Sequence, residues 1–263
     1  MNVITSIILV LASIYLLFAA YLYVYQRKLI YYPMAVDPGF NADEINIDKN
    51  GILLHGWVLN PGKPDAVIYF GGNSEMVTHR GEYFEKVFSD DSVYLINYRG
   101  YGKSQGHPTE SGLFSDALAI YDTLIKRYDS ITAYGRSLGS GVAVYLASKR
   151  PLEKLILLTP YDSVAAVAQK IYPMFPSRYL IRDQFDSESR AAGIEVPVLI
   201  ASAENDREIR LPHTLALKQR FNPALVTYQM IAGAAHNDII DFPQYRALVE
   251  GFLLERKPRS GGS

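Results

Sequence analysis

The chain has 263 residues, a formal net charge of -1 and 49% hydrophobic side chains, a length that supports one large domain with a sizeable core. So balanced a charge gives no sign of a polyanion-binding surface, and nucleic acid is not expected as a partner. The absence of cysteine excludes disulfides, thiolate metal sites and cysteine nucleophiles together.

The first predicted element is apolar. No charged side chain occurs from Asn2 to Gln26, and Val3 to Tyr25 as a helix is long enough to cross a bilayer. A secretory signal would start basic, carry a shorter apolar run and end at a small-residue cleavage site, and none of these is distinct here. Residues 1–27 therefore read as a retained single-pass transmembrane anchor, with the membrane bilayer as partner. The alternative is a buried helix, but buried helices seldom run this long without a polar face. Tyr15, Tyr21, Tyr23, Tyr25, Tyr31 and Tyr32 crowd towards the C-terminal end, where amphipathic rings favour the interface. Arg27 and Lys28 follow the span and no basic residue precedes it, which places the rest of the chain on the cytoplasmic side.

Residues 28–44 read as a juxtamembrane linker interrupted by Pro33 and Pro38. A domain over 45–256 begins with alternating Ile45 and Ile47, a Lys49-Asn50-Gly51 turn, and alternating Leu53, His55, Trp57 and Leu59, which is a hairpin pattern. His55 belongs to that alternation and reads as a structural strand residue. The apolar run Ala66 to Phe70 enters Gly71-Gly72-Asn73-Ser74, followed by a helix through Tyr83, Phe84, Val87 and Phe88. A buried strand running into glycines turns backbone N–H groups towards a cleft, or else it is a plain strand-to-helix turn.

Val93 to Asn97 is the next strand, and a loop containing His107 leads to a helix over about Glu110 to Arg127. His107 reads as a surface loop residue. The run Ile131-Thr132-Ala133-Tyr134 then meets Gly135-Arg136-Ser137-Leu138-Gly139 and the helical Gly141 to Leu146. Strand, G-x-S-x-G turn and helix in that order push a serine hydroxyl out of a sheet towards a base. Arg136 is expected to support this turn from outside the sheet. Further strands are read at Leu155 to Thr159 and Val196 to Ala201. Alternating strands and helices predict an α/β class with a mostly parallel central sheet covered on both faces. Between the last two strands, residues 161–195 carry proline-broken apolar segments. They read as a short lid, with Tyr161, Met174 and Phe175 as candidate substrate-binding residues, or as ordinary core.

After the strand ending Ala201-Ser202-Ala203 comes Glu204-Asn205-Asp206, and after a strand over Val226 to Ile231 comes Gly233-Ala234-Ala235-His236-Asn237-Asp238. Ser137, Asp206 and His236 occur in the nucleophile, acid, histidine order of a serine hydrolase built on such a sheet. His236 is the candidate base and Asp206 its orienting acid, with Glu204 and Asp238 as rival acids. The backbone N–H groups of Asn73 and Leu138 are the candidate oxyanion hole. Residues 257–263 read as a disordered tail.

These pieces resemble the α/β-hydrolase superfamily, and within it the membrane-tethered, depalmitoylase-like serine hydrolases without a large cap. The matching segments are Gly71-Gly72-Asn73, Tyr98-Arg99-Gly100-Tyr101-Gly102-Lys103-Ser104, the Ser137 pentapeptide, Glu204-Asn205-Asp206 and Gly233 to Asp238. Family members often carry histidine where this chain has Gly71, a departure that leaves the backbone donors in place. The resemblance implies an α/β-hydrolase fold after the anchor and activity on long-chain acyl esters or thioesters. No metal or organic cofactor is expected, and the substrate would be a small acyl ester or thioester, a lipid or an acylated protein. Two alternatives stand beside it: a serine peptidase or amidase using the same triad, and a tethered scaffold that leaves the triad unused.

Overall fold

The computed structural model describes residues 2–35 and 40–255. Pro38 of the expected linker and the tail expected over 257–263 lie outside the described residues. The hairpin read from alternation is formed by β1 (Asp43–Lys49) and β2 (Ile52–Leu59). It is followed by β3 (Asp65–Phe70), β4 (Asp91–Ile96), β5 (Ser130–Arg136), β6 (Leu155–Leu158), β7 (Val198–Ala203) and β8 (Val226–Ile231). Among the described residues these form one eight-stranded sheet in the order β1-β2-β4-β3-β5-β6-β7-β8. The β1–β2 and β2–β4 pairs are antiparallel and every later pair is parallel. The mostly parallel sheet is the one the alternation of elements predicts, and its arrangement is the α/β-hydrolase fold that the resemblance implies.

The sheet is apolar on both faces because helices cover both. Along β3, Ala66, Ile68 and Phe70 pack into one layer with Leu113 and Val142, while Val67 and Tyr69 join the other with Phe84, Val249 and Phe252. Successive strand side chains point to opposite faces, so one short run feeds two cores. Leu113 lies on α3 (Glu110–Leu124) and Val142 on α4 (Leu138–Ala147), whereas Phe84 lies on α2 (Gly81–Val87). The C-terminal helix α9 (Pro243–Leu254) carries Val249 and Phe252, and α8 (Leu211–Lys218) precedes β8. Thr109 caps α3 by accepting from Gly112 N at 3.0 Å. The helix stops at Leu124 instead of running to Arg127, because Arg127 N turns back onto the Leu124 carbonyl at 2.8 Å.

The N-terminal helix α1 spans Val3–Ile30, 28 residues, or about 42 Å at the α-helical rise. It reaches Ile30, so residues 28–30 of the expected linker are helical. Its most apolar window has a mean hydropathy of 2.6 and is unburied throughout, which makes it long and apolar enough to cross a membrane.

The 161–195 stretch forms three short helices, α5 (Val164–Ile171), α6 (Ser177–Leu180) and α7 (Glu188–Ala191). Its first half is bound to α1. The Tyr15 ring stacks on Phe175 with centroids 4.9 Å apart, and the Tyr15 hydroxyl donates to the Met174 carbonyl at 2.9 Å. One turn on, Phe18 meets Phe175 edge-on at 5.3 Å. Further along α1, the Gln26 amide donates to the Leu180 carbonyl at 3.2 Å and accepts from Arg182 N at 2.7 Å. Arg27 pairs with the buried Asp183 at 3.0 Å, and the Tyr31 hydroxyl donates to the same carboxylate at 3.0 Å.

Candidate active site

β5 ends at Arg136 and α4 begins at Leu138, leaving Ser137 alone at the corner with φ 49° and ψ -119°. A non-glycine residue with positive φ stores of order 1–3 kcal/mol of strain, which persists only where the surroundings enforce it. Here the Ser137 N–H donates to the Leu158 carbonyl at 3.0 Å, and its own carbonyl accepts from Ser140 Oγ at 2.7 Å. The flanking glycines are needed for closeness. A Cβ on Gly139 would collide with the Phe70 carbonyl, and one on Gly135 would stand 2.5 Å from the Gly139 carbonyl oxygen.

The corner aims the Ser137 hydroxyl at a histidine. His236 Nε2 lies 2.9 Å from Ser137 Oγ, and His236 Nδ1 lies 2.7 Å from Asp206 Oδ2. The other Asp206 oxygen accepts from Glu208 N at 2.9 Å and Ile209 N at 2.8 Å, so the carboxylate cannot rotate away. Ser137 and His236 are both buried. The rival acids are engaged elsewhere. Glu204 accepts from Gly233 N at 2.8 Å, and Asp238 accepts from Ala235 N at 2.7 Å, both pinning the loop that carries His236.

Known proteins resemble this chain in sequence or in fold. An uncharacterized protein of Mycobacterium tuberculosis is 34% identical over 251 residues, 88% of this chain and 88% of that one. Alpha/beta hydrolase domain-containing protein 17C of Xenopus tropicalis is 30% identical over 76% of this chain and 65% of its own length. Among solved structures, the Pyrococcus furiosus esterase Pf2001 matches with a TM-score of 0.68 at 17% identity, over 86% of this chain and 99% of its own. Est1E from Butyrivibrio proteoclasticus, solved with ferulic acid bound, matches with a TM-score of 0.65 at 20% identity, over 81% of this chain and 98% of its own. No protein-family model matches the chain. This chain belongs to the α/β-hydrolase superfamily.

In this α/β-hydrolase the candidate oxyanion residues share a cavity with the serine. Asn73, Ser137 and Leu138 all line a cavity of about 310 Å³, a volume at the small end of ligand sites. The Asn73 segment is heavily restrained: its carbonyl accepts from the Tyr101 hydroxyl at 2.7 Å and from Tyr32 N at 3.1 Å, and the Gly71 carbonyl accepts from the Tyr98 hydroxyl at 2.8 Å. These two tyrosines explain what the Tyr98 to Ser104 motif does structurally. Of the three candidate substrate residues, Tyr161 and Phe175 line the cavity, and the Tyr161 hydroxyl donates to the Leu138 carbonyl at 3.1 Å. Met174 does not line it. Its side chain is exposed, because its backbone is turned to α1 through the Tyr15 hydroxyl and the chain then places Phe175 inward.

Sequence reasoning gave Arg136 a supporting role at the turn but missed Glu75, its partner. Arg136 is buried, not outside the sheet, and pairs with Glu75 at 2.8 Å while donating to Asn237 Oδ1 at 2.6 Å and the His236 carbonyl at 3.2 Å. Glu75 in turn accepts from Gly72 N at 2.7 Å, so one ion pair ties the Gly72-Asn73 loop to the histidine loop. Burial alone would push the Glu75 carboxyl up, but Arg136, Gly72 N–H, Tyr69 and Arg80 outweigh it and hold it below its ordinary value. Arg136 is raised by the same partner against its own burial. No spacing rule marks Glu75; an arginine inside the nucleophile motif was the available signal.

His55 is buried in β2 with Nε2 2.9 Å from Glu44, and His107 is exposed, both far from these contacts in role. Among the described residues no group of three or more His, Asp or Glu side chains is placed to hold a metal. A second carboxylate does approach the base: Glu208 Oε2 lies 3.6 Å from His236 Nε2 on the solvent side.

Proposed function

We propose that this chain is a membrane-anchored serine hydrolase that cleaves carboxylic ester or thioester bonds of acyl substrates, lipids or acylated proteins, through an acyl-enzyme on Ser137. The observation that carries the reading is the unbroken relay from Ser137 Oγ through His236 to Asp206, at 2.9 and 2.7 Å, at the wall of a largely apolar cavity. Ser137 Oγ attacks the acyl carbonyl carbon as His236 Nε2 takes its proton, and Asp206 stabilises the resulting imidazolium. The oxyanion is held by the N–H groups of Asn73 and Leu138, an arrangement worth about 3–4 kcal/mol per donor in such enzymes. Collapse breaks the bond to the alcohol or thiol, which leaves with the His236 proton. Water, deprotonated by His236, then attacks the acyl-enzyme and releases the acid and free Ser137.

The helix α1 serves as the anchor, and Arg27 and Lys28 in its last turn favour the cytoplasmic side for the catalytic domain. An ester substrate is favoured over a peptide because the cavity lining is dominated by aliphatic and aromatic side chains, with few groups to pair a peptide backbone. Trapping by rapid acid quench and mass spectrometry tests the mechanism: an acyl adduct on the Ser137 peptide is expected. Turnover without a serine adduct, or amide turnover exceeding ester turnover, would contradict it.

A further inference from the structure

The reaction cavity is walled on one side by the helix read as an anchor. Leu22, Gln26, Leu29 and Ile30 of α1 line it together with Val167 and Ile171 of α5, and Ser137 lies in the same cavity. Tethering alone requires no such contact. The depth of these residues follows from helix geometry: about 20 residues cross the hydrocarbon core, so with Val3 at one boundary the other falls near Leu22. The lining segment Leu22 to Ile30 then stands at the level where acyl chains meet their ester groups. Tyr15 and Phe18 lie about 6–10 Å deeper along the helix, and they are the residues that grip Phe175 of the lid.

The lid surface agrees with that depth. Ile171, Met174 and Tyr179 are 61%, 76% and 83% exposed, a large apolar display beside an apolar helix, which suits hydrocarbon and not water. We propose that the cavity is filled sideways from the bilayer, the long acyl chain of a membrane-resident lipid ester passing between α1 and α5, with α1 forming part of the acyl-binding site. The inference rests on the serine hydrolase reading and names its substrate class. A chain taking this path stays out of water from the bilayer to Ser137, so no methylene is hydrated on the way. A soluble route would offer the same serine only to esters that already dissolve in water.

The test uses the full chain in phosphatidylcholine vesicles, with 4-methylumbelliferyl palmitate dissolved in the bilayer and p-nitrophenyl acetate in the buffer. Leu22→Trp fills the α1 side of the cavity; Leu17→Trp adds the same ring on α1 at a position 72% exposed and outside the cavity. The expected result is a drop of about tenfold or more in the long-chain to short-chain turnover ratio for Leu22→Trp, with the ratio unchanged for Leu17→Trp. Fluorophosphonate labelling of each variant reports that Ser137 is intact. Labelled, short-chain-active Leu22→Trp protein with the wild-type ratio would overturn this inference alone. Wild-type protein that neither labels nor turns over either ester would overturn the hydrolase reading and this inference with it.

Discussion

The side-chain amide of Asn73 donates to the carbonyl of Ile30, the last residue of α1, at 3.2 Å. The candidate oxyanion loop is therefore fastened to the end of the long apolar helix, and Tyr32 N on the Asn73 carbonyl repeats the link at 3.1 Å. Asn73→Ala removes the side-chain half of the tether and keeps the backbone N–H. Ester kcat should fall by about tenfold, the loss of one positioning hydrogen bond, with fluorophosphonate labelling retained but slowed. A loss approaching that of a triad variant would mean that the side chain itself binds the oxyanion.

Asp206 should be the acid that matters. Asp206→Asn preserves size but favours the wrong histidine tautomer, and kcat should fall by about 10⁴-fold. Glu204→Gln and Asp238→Asn, which alter only bonds that pin the histidine loop, should each cost far less in parallel steady-state assays. Equal losses across the three would assign the relay differently.

The Glu75–Arg136 pair should dominate stability near the site. Glu75→Gln leaves a buried guanidinium without its counter-charge, at a cost of about 3–5 kcal/mol, and a lowered Tm should be visible by calorimetry. The pair also sets a pH dependence. Because the folded-state value of Glu75 lies below its ordinary 4.5, its contribution is fully present above about 4.5 and is lost as pH falls through the depressed value. Glu75→Gln should flatten that acid limb of the stability profile; an unchanged limb would show that other carboxylates carry it.

Close packing at the corner gives a further outcome. Gly139→Ala sets a methyl group against the Phe70 carbonyl of the neighbouring strand, so β3 and α4 must part. Little folded protein should be recovered, or its Tm should fall by roughly 5–10 °C. Wild-type thermal stability in this variant would show that the corner is looser than drawn.

Much of this was legible in residue order because local chemistry dictated it. Alternation in Ile45 to Leu59 gave the hairpin, apolar runs ending in glycine gave the parallel strands, and the Ser137 pentapeptide gave a strand-turn-helix corner. The serine, aspartate and histidine follow the C-terminal ends of β5, β7 and β8, and each is announced by an apolar run that gives way to polar or glycine-containing turn residues. Less legible were contacts between distant segments. Glu75 meets Arg136 across 61 positions of chain, and Gln26, Arg27 and Tyr31 meet the lid across more than 150. Met174 and Phe175 illustrate the limit: two adjacent apolar residues looked alike in sequence, and only the seat of Phe175 against Tyr15 and Phe18 decides which one turns inward.

The most direct measurement is fluorophosphonate labelling of wild-type and Ser137→Ala protein, paired with hydrolysis of p-nitrophenyl esters of increasing acyl length. A nucleophile held 2.9 Å from its base predicts labelling of the wild type, none of Ser137→Ala, and a fall in turnover of about a millionfold, to background. Turnover that survives in a folded Ser137→Ala protein would contradict the account at its centre.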